Sequence, residues 1–177
     1  MTGLSHGIIS WFIGQGAGED LRDRRLVAWL GVAPDFDSIT YAWGAIRSWS
    51  IEEGYNLYVA THHKYTHGIV MILAAIGICA AFGRRRLRTS LLAAFAVIVH
   101  LAGDIIGSGP EFPIYPLWPA RNWCWTVSWS VPVQEWPNLL LGFLLLVGAF
   151  LYARYAGRSP LEMFSRRMDE ELMRHIR

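Results

Sequence analysis

Cysteine is scarce in this chain. Cys79 lies in an apolar run and Cys124 in a loop-like stretch, with no metal-type spacing and too few partners for a disulfide framework. No Lys or Arg precedes Arg22. That excludes the basic leader of a cleavable signal peptide, so the N-terminal segment is expected to stay on the protein. The apolar runs Gly68–Gly83 and Asn138–Ala156 contain no acid. Internal repeats and low-complexity tracts are missing as well.

What is present is apolar. The chain has 177 residues, 53% of them hydrophobic, with nine Trp, which is one domain's length but too greasy for a typical small soluble domain. Gly68–Gly83, Thr89–Gly107 and Asn138–Ala156 each approach the roughly 20 apolar residues that a membrane span needs. Two shorter segments, Leu4–Gly16 and Leu26–Ala33, are expected as half-spans or tilted helices. The expected fold is all-α: a polytopic membrane protein with about five membrane-embedded helices. A membrane domain over 1–157 and an amphipathic tail over 158–177 complete the expected organisation.

Arginines gather at Arg22, Arg24 and Arg25, at Arg84, Arg85, Arg86 and Arg88, and at Arg154, Arg158, Arg166 and Arg167. The positive-inside rule places all three groups in the cytoplasm. From Arg88, His100 then lies ~18 Å and Asp104 ~24 Å up one helix. The polar residues are therefore expected near the outer leaflet of the membrane. Residues 36–66 form an aromatic outer segment, in which Glu52 and Glu53 read as solvated charges. Ser108–Pro137 forms a second, rich in Trp and Pro, and its alternation over Trp123–Val131 has the period of a half-buried strand. Ser159-Pro-Leu-Glu162 reads as a capping box opening an amphipathic tail helix that rests on headgroups.

The sharpest feature is His100-Leu-Ala-Gly-Asp104, a histidine and an acid one turn apart inside a span. Ionisable groups at membrane depth are costly and need a partner or a task. A packing pair that locks two helices is the plain interpretation. Its company argues for more: His6, His62, His63 and His67, with Asp35 and Asp37 in Pro34-Asp-Phe-Asp37. His6, Asp35, Asp37, His62, His67, His100 and Asp104 are the candidate metal ligands, with His63 set aside as a bystander. Imidazole with carboxylate suits zinc, and seven donors exceed one tetrahedral shell, so one or two divalent ions are expected.

Early His6, Pro34-Asp-Phe-Asp37, His62-His-Lys-Tyr-Thr-His67-Gly68, His100-Leu-Ala-Gly-Asp104 and Tyr115-Pro-Leu-Trp-Pro119 occur in that order. Over residues 4–125 the set resembles the LexA-regulated, membrane-bound metal-dependent hydrolase family, itself similar to zinc-dependent phospholipase C and single-strand nucleases. The resemblance implies that His6, one or both of Asp35 and Asp37, His67, His100 and Asp104 are ligands. It also matches His62 to the first histidine of the family's His-Arg-Gly-Phe-Thr-His-Ser motif. His63-Lys64 replaces Arg-Gly there, Gly68 replaces the serine, and Gly107-Ser-Gly109 stands where a Thr-Pro turn is usual. After Asp104 the only histidine is His175 in the tail, which argues against a third ion.

The expected activity is hydrolysis of a phosphoester, on a lipid or lipid-linked phosphate, by water that the metal activates. Asp35 or Asp37, whichever is not a ligand, is the candidate base. Arg121, or else Lys64, is the candidate for steadying the phosphate, the arginine's planar fork being the better match. Membrane lipids are the expected partners, and no nucleic acid is. The rival expectations are a non-enzymatic membrane protein with a closed structural metal site and a haem-binding subunit with His67 and His100 as axial ligands.

Overall fold

The computed structural model describes residues 1–176. They form eight α-helices, and no strand occurs among the described residues. Helix α1 (Gly3–Gln15) opens on Thr2, whose hydroxyl accepts from the Ser5 amide. Helix α2 (Leu21–Val32) opens on Asp20, which accepts from the amides of Arg22 and Asp23, a standard N-cap that offsets the orphan donors of the first turn. It starts five residues before the expected Leu26, and it runs directly into a 3-10 turn, Ala33–Ser38, carrying Asp35 and Asp37.

Residues 36–66 were expected as an outer segment without assigned helices, yet they contain a helical hairpin, α3 (Ile39–Ser48) and α4 (Ile51–Thr61). Two glycines make it possible. A Cβ on Gly44 would meet the Gly54 backbone at 2.9 Å, and one on Gly54 would meet the Tyr41 carbonyl at 2.6 Å. Helix α5 (Ile69–Phe82) is a 14-residue apolar helix, about 21 Å long at 1.5 Å per residue. Among the described residues, helices α6 (Arg86–Gly107) and α7 (Trp136–Ala156) are the two long and apolar enough to cross a bilayer. Pro137 sits in the first turn of α7, and Gly157, at φ 71°, ends it in the left-handed conformation, as glycine allows without a Cβ clash.

Small residues set how closely the bundle packs. A side chain on Gly31 would strike Ser10 and Ala96, and one on Gly14 would strike the Arg24 carbonyl, so α1, α2 and α6 approach backbone to backbone. Val27, Ala93, Ala96, Val97 and Leu101 fill the space between them. By contrast, Leu139, Leu140, Phe143, Leu144, Phe150 and Leu151 of α7 are exposed. A soluble monomer seldom leaves so large an apolar surface bare.

The Trp/Pro-rich segment corrects one expectation. Instead of a strand over Trp123–Val131 there is a single antiparallel bridge, Ile114 with Trp125. Most of that stretch is exposed, so alternation there has no second sheet to pair with. The tail also departs from the capping box. Ser159 does accept from the Leu161 amide, but its own amide donates to Asp169, at 2.6 Å. Glu162 turns inward instead, towards Arg24, Trp11 and Gln15. Only a 3-10 turn (Pro160–Met163) forms before α8 (Arg166–Ile176).

Candidate metal centre

Four chain segments converge at one end of the bundle. Helix α1 brings His6, the 3-10 turn brings Asp35 and Asp37, the link from α4 to α5 brings His62, His63 and His67, and α6 brings His100 and Asp104. Each imidazole is fixed through one ring nitrogen. His100 Nδ1 donates to the Gly31 carbonyl at 2.8 Å, and His63 Nδ1 donates to the Phe112 carbonyl at 2.9 Å. His67 Nδ1 faces Asp37 Oδ2 at 3.3 Å. The Nε2 atoms of these three are left pointing inward without a hydrogen-bond partner, as are Asp35 Oδ2 and Asp104 Oδ2.

Buried polar atoms in proteins are nearly always paired. Five unpaired atoms at one spot therefore call for an explanation, and metal donors oriented by an outer ring of hydrogen bonds have this form. The spacing fits. His100 Nε2 lies 3.1 Å and His67 Nε2 3.4 Å from Asp104 Oδ2, while Asp35 Oδ1 lies 3.4 Å from His100 and 3.9 Å from His67. Tetrahedral zinc with bonds of 2.0–2.1 Å sets its ligands about 3.3 Å apart. Asp35, His67, His100 and Asp104 could hold such an ion, and His63 Nε2, 3.7 Å from Asp104 Oδ2, borders it.

The remaining candidates form a surround. His6 Nε2 pairs with the other oxygen of Asp104, Oδ1, at 2.9 Å, and its ring stacks on His100. Ser108 donates to the same oxygen. Donor atoms of His6 still lie within 4.8 Å of those of Asp35, His100 and Asp104; a second such group joins His62, His63 and His67. Asp37 accepts from His62 at 2.7 Å and from Thr66 at 2.7 Å. Burial pushes its carboxyl up, but the bonds from His62 and His67 outweigh that and hold it well below the usual carboxylate range. Burial pushes the His63 imidazole down to about 3, leaving Nε2 as a free lone pair. Arg121 is exposed and, among the described residues, has no side-chain bond to the cluster. Lys64 lies over the rings of Tyr65 and Tyr115.

His63 is the residue that the sequence reading set aside and the structure turns inward. Its φ of 66° reverses the chain between two neighbouring histidines, and no periodicity announces such a turn. The carbonyls of Gly31 and Phe112 also leave no mark in a sequence. Gly68 has a visible reason: a Cβ there would meet the Tyr115 and Pro116 carbonyls at 2.9 Å.

A cavity of about 270 Å³ reaches the cluster's rim between Tyr55, Tyr58, His62, Ser108, Phe112 and Val133. A cavity of about 380 Å³ at the arginine end holds charges that already have partners: Arg24 with Glu162, Arg158 with Glu19, Arg166 with Glu170.

An all-helical chain with exposed apolar helices and a buried His/Asp cluster defines a helical membrane protein with a candidate metal centre. The family model described as YdjM inner membrane protein matches residues 1–165. The chain belongs to that inner-membrane family, the LexA-regulated one that its ordered motifs resemble. No curated protein and no solved structure matches it. The family match carries no likeness to hydrolases, phospholipases or nucleases.

Proposed function

We propose that the chain is a membrane-embedded, metal-dependent hydrolase that cleaves a phosphoester of a lipid or lipid-linked substrate. The observation that supports this reading is the set of five unpaired buried donor atoms, among which His67 Nε2 and His100 Nε2 lie 3.4 and 3.1 Å from Asp104 Oδ2, close to the spacing of tetrahedral ligands. His67, His100 and Asp104 would hold a zinc-type ion. When bound, such an ion acidifies water and polarises a phosphoryl oxygen. Asp35, whose side chain is 22% exposed where those of His67, His100 and Asp104 are nearly sealed, takes the proton from the attacking water. Asp37 does not serve as base, because His62, Thr66 and His67 already occupy it; it positions His62 and His67. No arginine or lysine side chain lies on the cluster, and the Met1 amino group beside it is already paired with Asp104 at 2.8 Å, so the substrate's negative charge falls to the cation.

One observation favours a second reading. Asp35 completes a fourth corner, and a closed four-ligand shell is the mark of a structural site. Metal analysis of detergent-purified protein, paired with a panel of lipid phosphoesters in micelles, separates the two. The hydrolase reading expects about one or two equivalents of zinc-type metal and phosphate or headgroup release that chelator abolishes and zinc restores. Asp35→Asn should then cut turnover at least 100-fold while keeping most of the metal. Metal bound without turnover on any substrate, and lost with Asp35→Asn, would leave the structural reading standing.

A further inference from the structure

The α3–α4 hairpin has no place in a scheme of spanning helices. Its helices, of 10 and 11 residues, reach only about 15–17 Å, half a bilayer core. Beyond its own two helices it packs mainly on the 3-10 turn, so it projects from the cluster end. Gly44 faces α4, and on the opposite side of α3 Ile39, Trp43 and Ile46 form a stripe at i, i+4, i+7. All three are exposed, with Ile51 near the tip and Trp49 at the tip, the latter 95% exposed. Of the hairpin's charged residues, Glu52 and Glu53 lie off this line, on α4, and exposed Arg47 flanks it in the last turn of α3, where a long cationic side chain can reach the headgroups.

The hairpin's root is tied to the rim of the membrane helices. Thr61 donates to Thr40 and Thr66 to Asp37, and three residues after Thr66 the chain enters α5, whose first turns expose Ile69, Val70 and Leu73. Tryptophans mark the same end. Trp123, Trp125, Trp129 and Trp136 are exposed between the end of α6 and the start of α7, and the segment is moored there by Val131 to Ile106 and Asn138 to Gly107. Together with Trp43 and Trp49 they put six exposed tryptophans at the cluster end, and tryptophan is the residue that bilayer interfaces favour.

We infer that the α3–α4 hairpin lies in the headgroup layer of the leaflet beside the cluster, with its Ile39–Trp43–Ile46 stripe in lipid, and that the groove between Tyr55, Tyr58, Phe112 and Val133 opens into that leaflet. The bilayer is the occupant because the stripe lies at the same end of the fold as the exposed first turns of α5 and the exposed tryptophans. The groove adjoins His62 and Ser108, each one hydrogen bond from a cluster carboxylate. A substrate anchored by acyl chains would thus arrive sideways from the leaflet. That last step rests on the proposed hydrolase reading; the position of the hairpin does not.

The test is spin-label accessibility on full-length protein in nanodiscs of phosphatidylethanolamine and phosphatidylglycerol. Single cysteines replace Trp43, Ile46, Glu52, Val133 and Val147 (on α7) in a background lacking Cys79 and Cys124. Positions 43, 46, 133 and 147 should relax more with oxygen than with a water-soluble nickel chelate, and position 52 the reverse. Nickel access at 43 and 46 equal to that at 52 would overturn the hairpin's placement. Shielding of 43 and 46 from both reagents, with disulfide-linked dimers, would overturn it in favour of a second copy. Lipid signatures at 43 and 46 with nickel access at 133 would overturn the groove's opening alone. None of these readings needs bound metal or turnover, so they stand apart from the test of hydrolysis.

Discussion

Asp104 uses its two oxygens differently. Oδ1 is saturated by the Met1 amino group, His6 and Ser108, while Oδ2 is free and aimed at His67 and His100. His100→Ala or Asp104→Ala should therefore remove most bound metal in elemental analysis, whereas His175→Ala, altering an exposed tail residue, should change nothing. Asp37→Asn is the subtler change. It keeps the shape but weakens the hold on the ring nitrogens of His62 and His67, and the loss of such outer partners lowers metal affinity by about 10–100-fold. Chelator competition should show that loss with metal still bindable at saturation; an unchanged affinity would remove Asp37 from its positioning role. The polar residues of this centre were legible because histidines and acids are conspicuous in apolar helices. Their ranking was not, since the inward turn of His63 and the carbonyls of Gly31 and Phe112 are backbone geometry.

At the scale of elements, the tail behaves as a clamp on α1 and α2. Arg24 grips Glu162 through both Nε and NH2, Trp11 and Gln15 donate to the same carboxylate, and Trp29 donates to the Met163 carbonyl. Removing one partner of a buried, hydrogen-bonded ion pair typically costs about 3–5 kcal/mol, so Glu162→Ala should lower the thermal midpoint of the purified protein by several degrees. Burial pushes the Glu162 carboxyl up, but Arg24 and Gln15 outweigh it and hold it below its ordinary value of 4.5. A depressed acid contributes its stability above its unfolded value and loses it as pH falls through the folded one. Melting curves should thus drop below about pH 4.5 in the wild type and flatten there in Glu162→Gln; equal acid sensitivity in both would refute the assignment. This clamp was misjudged as a capping box because Ser-x-x-Glu spacing is local, while Glu162's partners lie more than 130 residues away. The helices α1, α5, α6 and α7 were foreseen from apolar runs, and the α3–α4 hairpin was not, since its apolar stripe faces outward and its two glycines carry the packing.

At the scale of the molecule, charge is sorted by end. Asp23 accepts from the amides of Arg84 and Arg85, Arg84 pairs with Asp20, and Arg158 with Glu19, so the turn into α6, the start of α2 and the tail gather into one basic cap. The His/Asp cluster sits at the other end of α6: His100 is 14 residues from Arg86, about 21 Å along the helix. Arginine excess marks the cytoplasmic side, which would set the cluster and the exposed tryptophans beside it towards the outer leaflet. Cysteines replacing Arg86 and Glu111, both exposed, can be probed separately in a background lacking Cys79 and Cys124. A membrane-impermeant thiol reagent should label position 111 in intact cells and position 86 only after lysis. The three remaining arginines of that turn, Arg84, Arg85 and Arg88, keep its charge, so the substitution itself should not invert the chain. Labelling at 86 and not at 111 in intact cells would place the cluster on the cytoplasmic face, and any lipid it acts on would then come from the inner leaflet.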